Sequence, residues 1–200
     1  LHLCHHNLET IDTKSTTSDN AKHNLLAEVC YAAKHEGNSI NTHYTPYQQK
    51  YVNPDSQLCT VLARSFADIG DIIRGKDLYI RNNKKKNEKD REKERLQQNL
   101  RSIFAKIYGD LSDSAKKHYG DDENYYQLRE DWWTANRHTV WKAITCNAWG
   151  DTYFRTTCSD RNGSFSEANN YCRCGDDKPN ADKPNIDPPT YFDYVPQYLR

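Results

Sequence analysis

Thiols, imidazoles and clustered cations are the groups with chemistry to offer in this sequence. Cys4, Cys30, Cys59, Cys146, Cys158, Cys172 and Cys174 make seven cysteines in 200 residues. That density suits an oxidised, extracellular setting in which thiols form disulfides. A zinc centre needs Cys-x2-Cys pairs or two histidines on one helix face. Here His5 and His6 follow Cys4, while Cys172 and Cys174 flank a single arginine far away, so neither pattern exists. His23, His35, His43, His118 and His138 are scattered through polar segments and read as surface residues. An odd number of cysteines leaves at least one thiol free or paired outside the sequence, and spacing alone leaves the connectivity open.

The carboxylates are no more suggestive. Asp110, Asp113 and the run Asp121, Asp122 and Glu123 lack the sixth-position glycine and twelfth-position glutamate of a calcium loop. They read as capping and surface groups. No Gly-x-Ser-x-Gly elbow, phosphate loop or dinucleotide fingerprint is present. Cys30 sits on an apolar helix face and reads as buried or bridged, not nucleophilic. The expectation is a protein without catalytic, cofactor-binding or metal-binding residues.

The cations are more concentrated. Arg81–Arg95 carries eight basic and four acidic residues, a local charge of +4. Its plain reading is a solvated loop feeding a helix that starts near Leu96. Its sharper reading is a basic ligand patch of Lys84, Lys85, Lys86, Lys89, Arg91, Lys93 and Arg95. Arg155, Arg161 and Arg173 offer a second, weaker basic surface. The formal net charge of the whole chain is zero, so no global field points to nucleic acid. Asn162-Gly163-Ser164 is both a glycosylation sequon and a tight-turn signal.

Amphipathic helices must position these groups. Mean hydropathy is very low, at -1.06. Yet 12% aromatic residues, with 14 Tyr and 4 Trp, argue against a disordered chain. Asn24–Glu36 reads as a helix stopped by Gly37, followed by a loop over 38–54. Asp55–Arg74 reads as a second helix capped by Asp55 and closed by Gly75. Leu96, Leu100, Ile103, Phe104, Ile107 and Leu111 mark a third, and Ser112–Tyr119 a short one ended by Gly120. In Asn124–Cys146, Tyr126, Trp133, Val140 and Ile144 recur at helical spacing, and Trp132 and Trp141 widen the stripe. Each buried aromatic contributes roughly 1.5–3 kcal/mol, so Trp132, Trp133 and Trp141 are the expected core anchors. Arg129 and Arg137 fall on another arc, expected to stay exposed or pair with nearby acids. After Cys146 regular periodicity is lost, and Asp176–Pro189 reads as a surface loop. The sum is an all-α chain with about four substantial helices, no convincing sheet and a cysteine-bearing irregular tail. No run of eighteen apolar residues spans a membrane. The absence of methionine and the start at Leu1 read as an excised fragment.

Several strings, in order, carry a family likeness: LLAEVCYAAKHEG (25–37), CTVLARSFADIGDIIRGKDLY (59–79), NLRSIFAKIYGDL (99–111), YYQLREDWWTANRHTVWKAITC (125–146) and PTYFDYVPQYLR (189–200). Together with LHLCHHNLE (1–9), they resemble the alpha class of Duffy-binding-like domains from the malaria parasite's variant erythrocyte membrane protein one. The resemblance covers nearly the whole chain. It implies a disulfide-tied helical bundle with long irregular loops. Residues 1–54 would be the end of the first subdomain with the helix leading into the next. Residues 55–200 would be the helical second subdomain, truncated at Arg200. It further implies that Cys4 pairs upstream, leaving Cys30, Cys59, Cys146, Cys158, Cys172 and Cys174 as the disulfide candidates. Cys59 would be stapled to the region 158–174, with Cys172 and Cys174 serving two bridges.

The function implied is adhesion, with display on the infected erythrocyte surface and antigenic variation. The implied partners are an erythrocyte or endothelial receptor, a sulfated glycan such as heparan sulfate (as in rosetting), antibodies and adjoining domains of the same chain. The alternative is a structural and antigenic platform beside a domain that does the binding.

Overall fold

The computed structural model of the chain describes residues 17–50, 58–76, 88–120, 122–150, 156–159, 163–184 and 186–200. Among them are five helices: α1 (Ser18–Lys50), α2 (Leu58–Arg74), α3 (Glu88–Gly109), α4 (Asp113–Tyr119) and α5 (Tyr126–Ile144). A two-residue strand pair follows, β1 (Cys158–Ser159) antiparallel to β2 (Phe165–Ser166), with Cys158 opposite Ser166. Two short 3-10 turns, Phe192–Tyr194 and Gln197–Leu199, close the chain. The fold is therefore all-α, with α1, α2, α3 and α5 around one core.

The core is aromatic at its centre. Phe66 of α2 lies between Trp133 and Trp141 of α5, with ring centroids 5.1 Å from each. Phe104 of α3 meets Trp132 edge-on at 6.2 Å. All three tryptophans are buried, Trp133 completely. Edge-on and tilted pairs of this kind add about 0.5–1.5 kcal/mol each beyond area burial. Tyr126, placed on the same stripe by periodicity, is instead half exposed at the helix start.

Glycines let the helices approach. A Cβ on Gly37 would stand 1.9 Å from the Ile144 carbonyl oxygen, so α1 crosses α5 backbone to backbone. This corrects the expected stop: Gly37 serves close approach, and α1 runs on to Lys50 where a loop was expected. The extension is tied to the turn that follows α5 by amides, Asn41 Nδ2 donating to Asn147 O (3.0 Å) and Asn147 Nδ2 to Asn38 Oδ1 (2.7 Å). The expected cap Asp55 lies outside the described residues. Gly75 does end α2: its φ of 72° allows Lys76 N to reach Asp71 O (2.8 Å) and Gly75 N to reach Ile72 O (3.2 Å).

α3 starts at Glu88, earlier than the apolar pattern suggests. Apart from Asp90 its first turns are Glu, Lys and Arg, strong helix formers, and opposite charges recur at i,i+3 although like charges repeat at i,i+4. Ser112 caps α4 through Ala115 N (3.4 Å).

Two disulfides tie the tail. Cys59 of α2 is bonded to Cys172, 113 residues away, and Cys158 to Cys174 across 16. In chain-entropy terms the long bridge contributes roughly 4–5 kcal/mol and the short one about 3. Cys30 and Cys146 are free thiols, which corrects their place among the disulfide candidates. Among the described residues the other four cysteines pair with one another, and Cys30 and Cys146 are not bonded to each other. Cys4 lies outside the described residues.

Gly37→Ala is expected to destabilise the chain by about 3 kcal/mol or more, because backbone on both sides must give way. Gly109→Ala, where a Cβ meets nothing within 4 Å, is expected to be neutral or stabilising by up to about 1 kcal/mol. Thermal melts of the two variants against the parent check the contrast.

Candidate functional site

The tail is held to the bundle by buried charge. Asp193, in the first 3-10 turn, is 1% exposed and receives three side-chain hydrogen bonds. Arg137 donates Nε to Oδ2 and Nη2 to Oδ1, both at 2.9 Å, and Trp133 donates Nε1 to Oδ2 at 2.9 Å. The remaining Arg137 Nη2 capacity goes to Thr190 O (2.8 Å), and the guanidinium stacks near Phe66, Tyr191 and Tyr194 at 5.2–5.8 Å. Bidentate pairing, with Asp187 4.0 Å from Nη1 as a second counter-charge, offsets the cost of burying both charges. The main chain of Asp193 also accepts from Arg74 Nη2. Arg74 in turn reaches Gly70 O (3.0 Å) and Asp71 Oδ1 (2.9 Å), and Arg200 binds the other oxygen of Asp71. Burial pushes the Asp71 carboxyl up, and Arg200 and Arg74 pull it back.

Two more buried arginines seal helix ends. Arg129 of α5 donates Nε to Ile73 O and Nη2 to Ile72 O (3.1 Å), at the C-terminus of α2, and Nη2 to Gln97 Oε1 (2.8 Å). Burial draws its guanidinium down to about 10, so it stays charged at neutral pH and complements the helix dipole. Arg173 closes α5 in the same way, donating Nη2 to Lys142 O (2.9 Å) and Nε to Thr145 Oγ1 (3.0 Å), with Asp177 and Asp182 as counter-charges. Its neighbour Cys172 accepts from Trp141 Nε1 (2.9 Å). Asn169 Nδ2 holds the turn by donating to Gly175 O (3.0 Å) and Asp177 O (2.7 Å).

These arginines overturn two sequence expectations. Arg129 and Arg137 are not exposed, at 3% and 5% accessible; Arg137 takes the other expected course and pairs with an acid, Asp193, whereas Arg129 is spent on backbone carbonyls and Gln97. Arg173 is equally buried and presents no basic surface, while Arg155 and Arg161 lie outside the described residues, as does Asn162. The segment 176–189 is not wholly a surface loop either, since Asp177, Pro188 and Pro189 are buried. Sequence reading missed Asp193, although an acid between Phe192 and Tyr194 in an aromatic string was the available signal.

What remains for ligands is the surface. Lys84, Lys85 and Lys86 lie outside the described residues, as does the side chain of Lys89. Arg91 and Arg95 are exposed one turn apart on α3, whereas Lys93 is half-buried. On the tail, a cleft of about 560 Å³ opens between Thr157, Ser159, Cys174, Lys183, Asp187 and Tyr191. Among the described residues no His, Cys, Asp and Glu cluster could hold a metal ion. Cys30, shielded by the bundle, has its thiol pushed up to about 11 by burial, which suits packing and not nucleophilic attack.

The Duffy binding domain family matches residues 1–200. The chain belongs to the Duffy binding domain family. The crystal structure of the NTS-DBL1(alpha-1) domain of Plasmodium falciparum membrane protein 1 (PfEMP1), varO strain, is 39% identical with a TM-score of 0.72, over 99% of this chain. The PfEMP1 IT4var13 DBLbeta domain, solved bound to ICAM-1, is 36% identical with a TM-score of 0.56, over 72% of this chain. This chain spans 40% of the first structure's length and 34% of the second's. A search of curated proteins returned no relative. The buried arginines of this chain are spent on internal partners.

Asp193→Ala is expected to cost about 3–5 kcal/mol, since it strands the Arg137 guanidinium in the core. An Arg137→Leu/Asp193→Leu double variant is expected to lose clearly less than the sum of the single losses. Urea denaturation followed by tryptophan fluorescence measures both. A second expectation concerns pH. The folded Cys30 thiol titrates above its ordinary value of 9.0, near 11. The unfolded chain therefore ionises first, and the stability this thiol contributes is full below about 9 and lost as pH rises toward 11. Comparing the parent with Cys30→Ala, the alkaline fall in melting temperature is expected to be shallower in the variant.

Proposed function

We propose that this chain is a host-cell adhesion module of a variant surface antigen displayed on infected erythrocytes, and that it works by binding, without catalysis. The observation that carries the reading is family membership over all 200 residues, joined to 36% identity with a PfEMP1 domain solved on ICAM-1. The charge economy described above supports it: the buried cations are used internally, leaving loops and helix faces free to vary. No helix among the described residues is long and apolar enough to cross a membrane. In this reading the chain is part of a longer surface protein, and α1 shares the core of α2, α3 and α5. Residues 1–54 then hold the end of the first subdomain together with the entry helix, α1, and residues 55–200 the helical second subdomain.

A sulfated glycan such as heparan sulfate is the ligand class suited to the run from Lys84 to Arg95, with Arg91 and Arg95 as its helix-borne end. Contacts of this kind weaken as salt screens them, over a Debye length of about 8 Å at physiological ionic strength. The chain is expected to be retained on immobilised heparin at that salt and to elute earlier when Lys84, Lys85 and Lys86 are changed to alanine. Adding Arg91→Ala and Arg95→Ala is expected to shift elution further. Unchanged elution of the variants would remove the patch; no retention of the parent would remove the glycan and leave a protein receptor.

The zero net charge favours a second reading, a structural and antigenic platform whose neighbour does the binding. Erythrocyte binding by the isolated complete domain, compared with the same domain joined to its neighbour, separates the two.

A further inference from the structure

We propose that Cys158–Cys174 is an exchange site for small thiols, a clasp that opens while Cys59–Cys172 stays closed. The two bridges differ in access. Cys59 and Cys172 are 2% and 0% exposed, beneath α2 and α5. Cys174 is half-buried and forms part of the wall of the 560 Å³ cleft, beside Gly175, Lys183 and Tyr191. Thiol–disulfide exchange requires a thiolate to reach a sulfur, so access selects the bond that reacts. Cys158 is 2% exposed and does not line the cleft, whereas Cys174 does, so attack from the cleft falls on the Cys174 side of the bond.

The reductant is a glutathione-class thiol. Its thiolate attacks Cys174 Sγ, the Cys158–Cys174 bond breaks, and Cys158 leaves as a thiolate that takes a proton from water. A second thiolate then attacks the glutathione sulfur of the mixed disulfide, forming oxidised glutathione and releasing Cys174. Two electrons pass from two thiols to one cystine.

Opening the clasp leaves the rest of the tail in place. Cys172 keeps its bond to Cys59 and its hydrogen bond from Trp141. Arg173 keeps Thr145 and the Lys142 carbonyl, and Asn169 keeps the turn behind it. What loses its covalent tie is the β1–β2 hairpin, which carries the exposed Phe165 and retains the Thr157 bond to Pro189 O. The shape of that surface would respond to thiols independently of whether the chain is an adhesion module.

The test uses the 200-residue chain. Free thiols are blocked with N-ethylmaleimide, the folded protein is incubated with reduced glutathione, and newly exposed thiols are labelled with iodoacetamide and located by peptide mass spectrometry. The expected result is Cys158 and Cys174 labelling at least about tenfold faster than Cys59 and Cys172, with near-ultraviolet circular dichroism unchanged. In concentrated guanidinium the difference is expected to vanish. Equal rates in the folded chain, no labelling at all, or loss of the dichroism signal in step with labelling would each overturn the proposal. The Cys158→Ser/Cys174→Ser variant gives a second reading: it is expected to fold with Cys59–Cys172 intact, and failure to do so makes the clasp part of the core.

Discussion

The carboxylate of Asp193 is the constraint on which this structure turns. It neutralises Arg137, satisfies the indole of Trp133 and, through its main chain, occupies Arg74. Remove the carboxylate and the Arg137 guanidinium and the Trp133 indole lose a shared partner together, each costly to leave unpaired in a low-dielectric interior. The aromatic core and the tail are thus one unit. Trp133 can fill the space over Gly70 only because its N–H finds an acceptor from a segment 60 residues away.

The polar composition of the chain follows from this arrangement. Hydrophobic burial comes from a modest set of Leu, Ile, Phe and Trp side chains, and the interior is completed by arginines that reach backbone carbonyls and acids. Such charges contribute little net stability compared with apolar replacements, but they are demanding in geometry. We offer, as a hypothesis, that they fix how the irregular tail docks, a task that generic apolar contacts leave underdetermined.

Much of the bundle was legible in the sequence because its helices obey a 3.6-residue apolar period. Leu58 to Ile73 and Leu96 to Ile107 keep it without interruption, and the tryptophan helix could be placed by the same rule. What periodicity does not contain is the partner of a buried charge. Arg129 and Arg137 fall on a polar arc by pattern, and only the tertiary arrangement brings the end of α2 and Asp193 over that arc. Gly37 misled for a related reason, since a glycine that stops a helix and one that admits a neighbouring backbone look identical in a string. The basic run was visible as a patch, yet a charge run names no ligand. The family likeness, carried by long ordered strings, supplied the class of function that local chemistry did not.

The way α2 ends has a consequence for how such a chain can change. Its last carbonyls are covered by the turn at Gly75 and by Arg129 and Gln97, which arrive from α5 and α3. Among the described residues, that cover comes from the closing turn of α2 itself and from two side chains of other helices. The stopping point of α2 therefore depends on residues far away in sequence, and a change at Arg129 or Gln97 is felt at the end of a helix to which neither belongs.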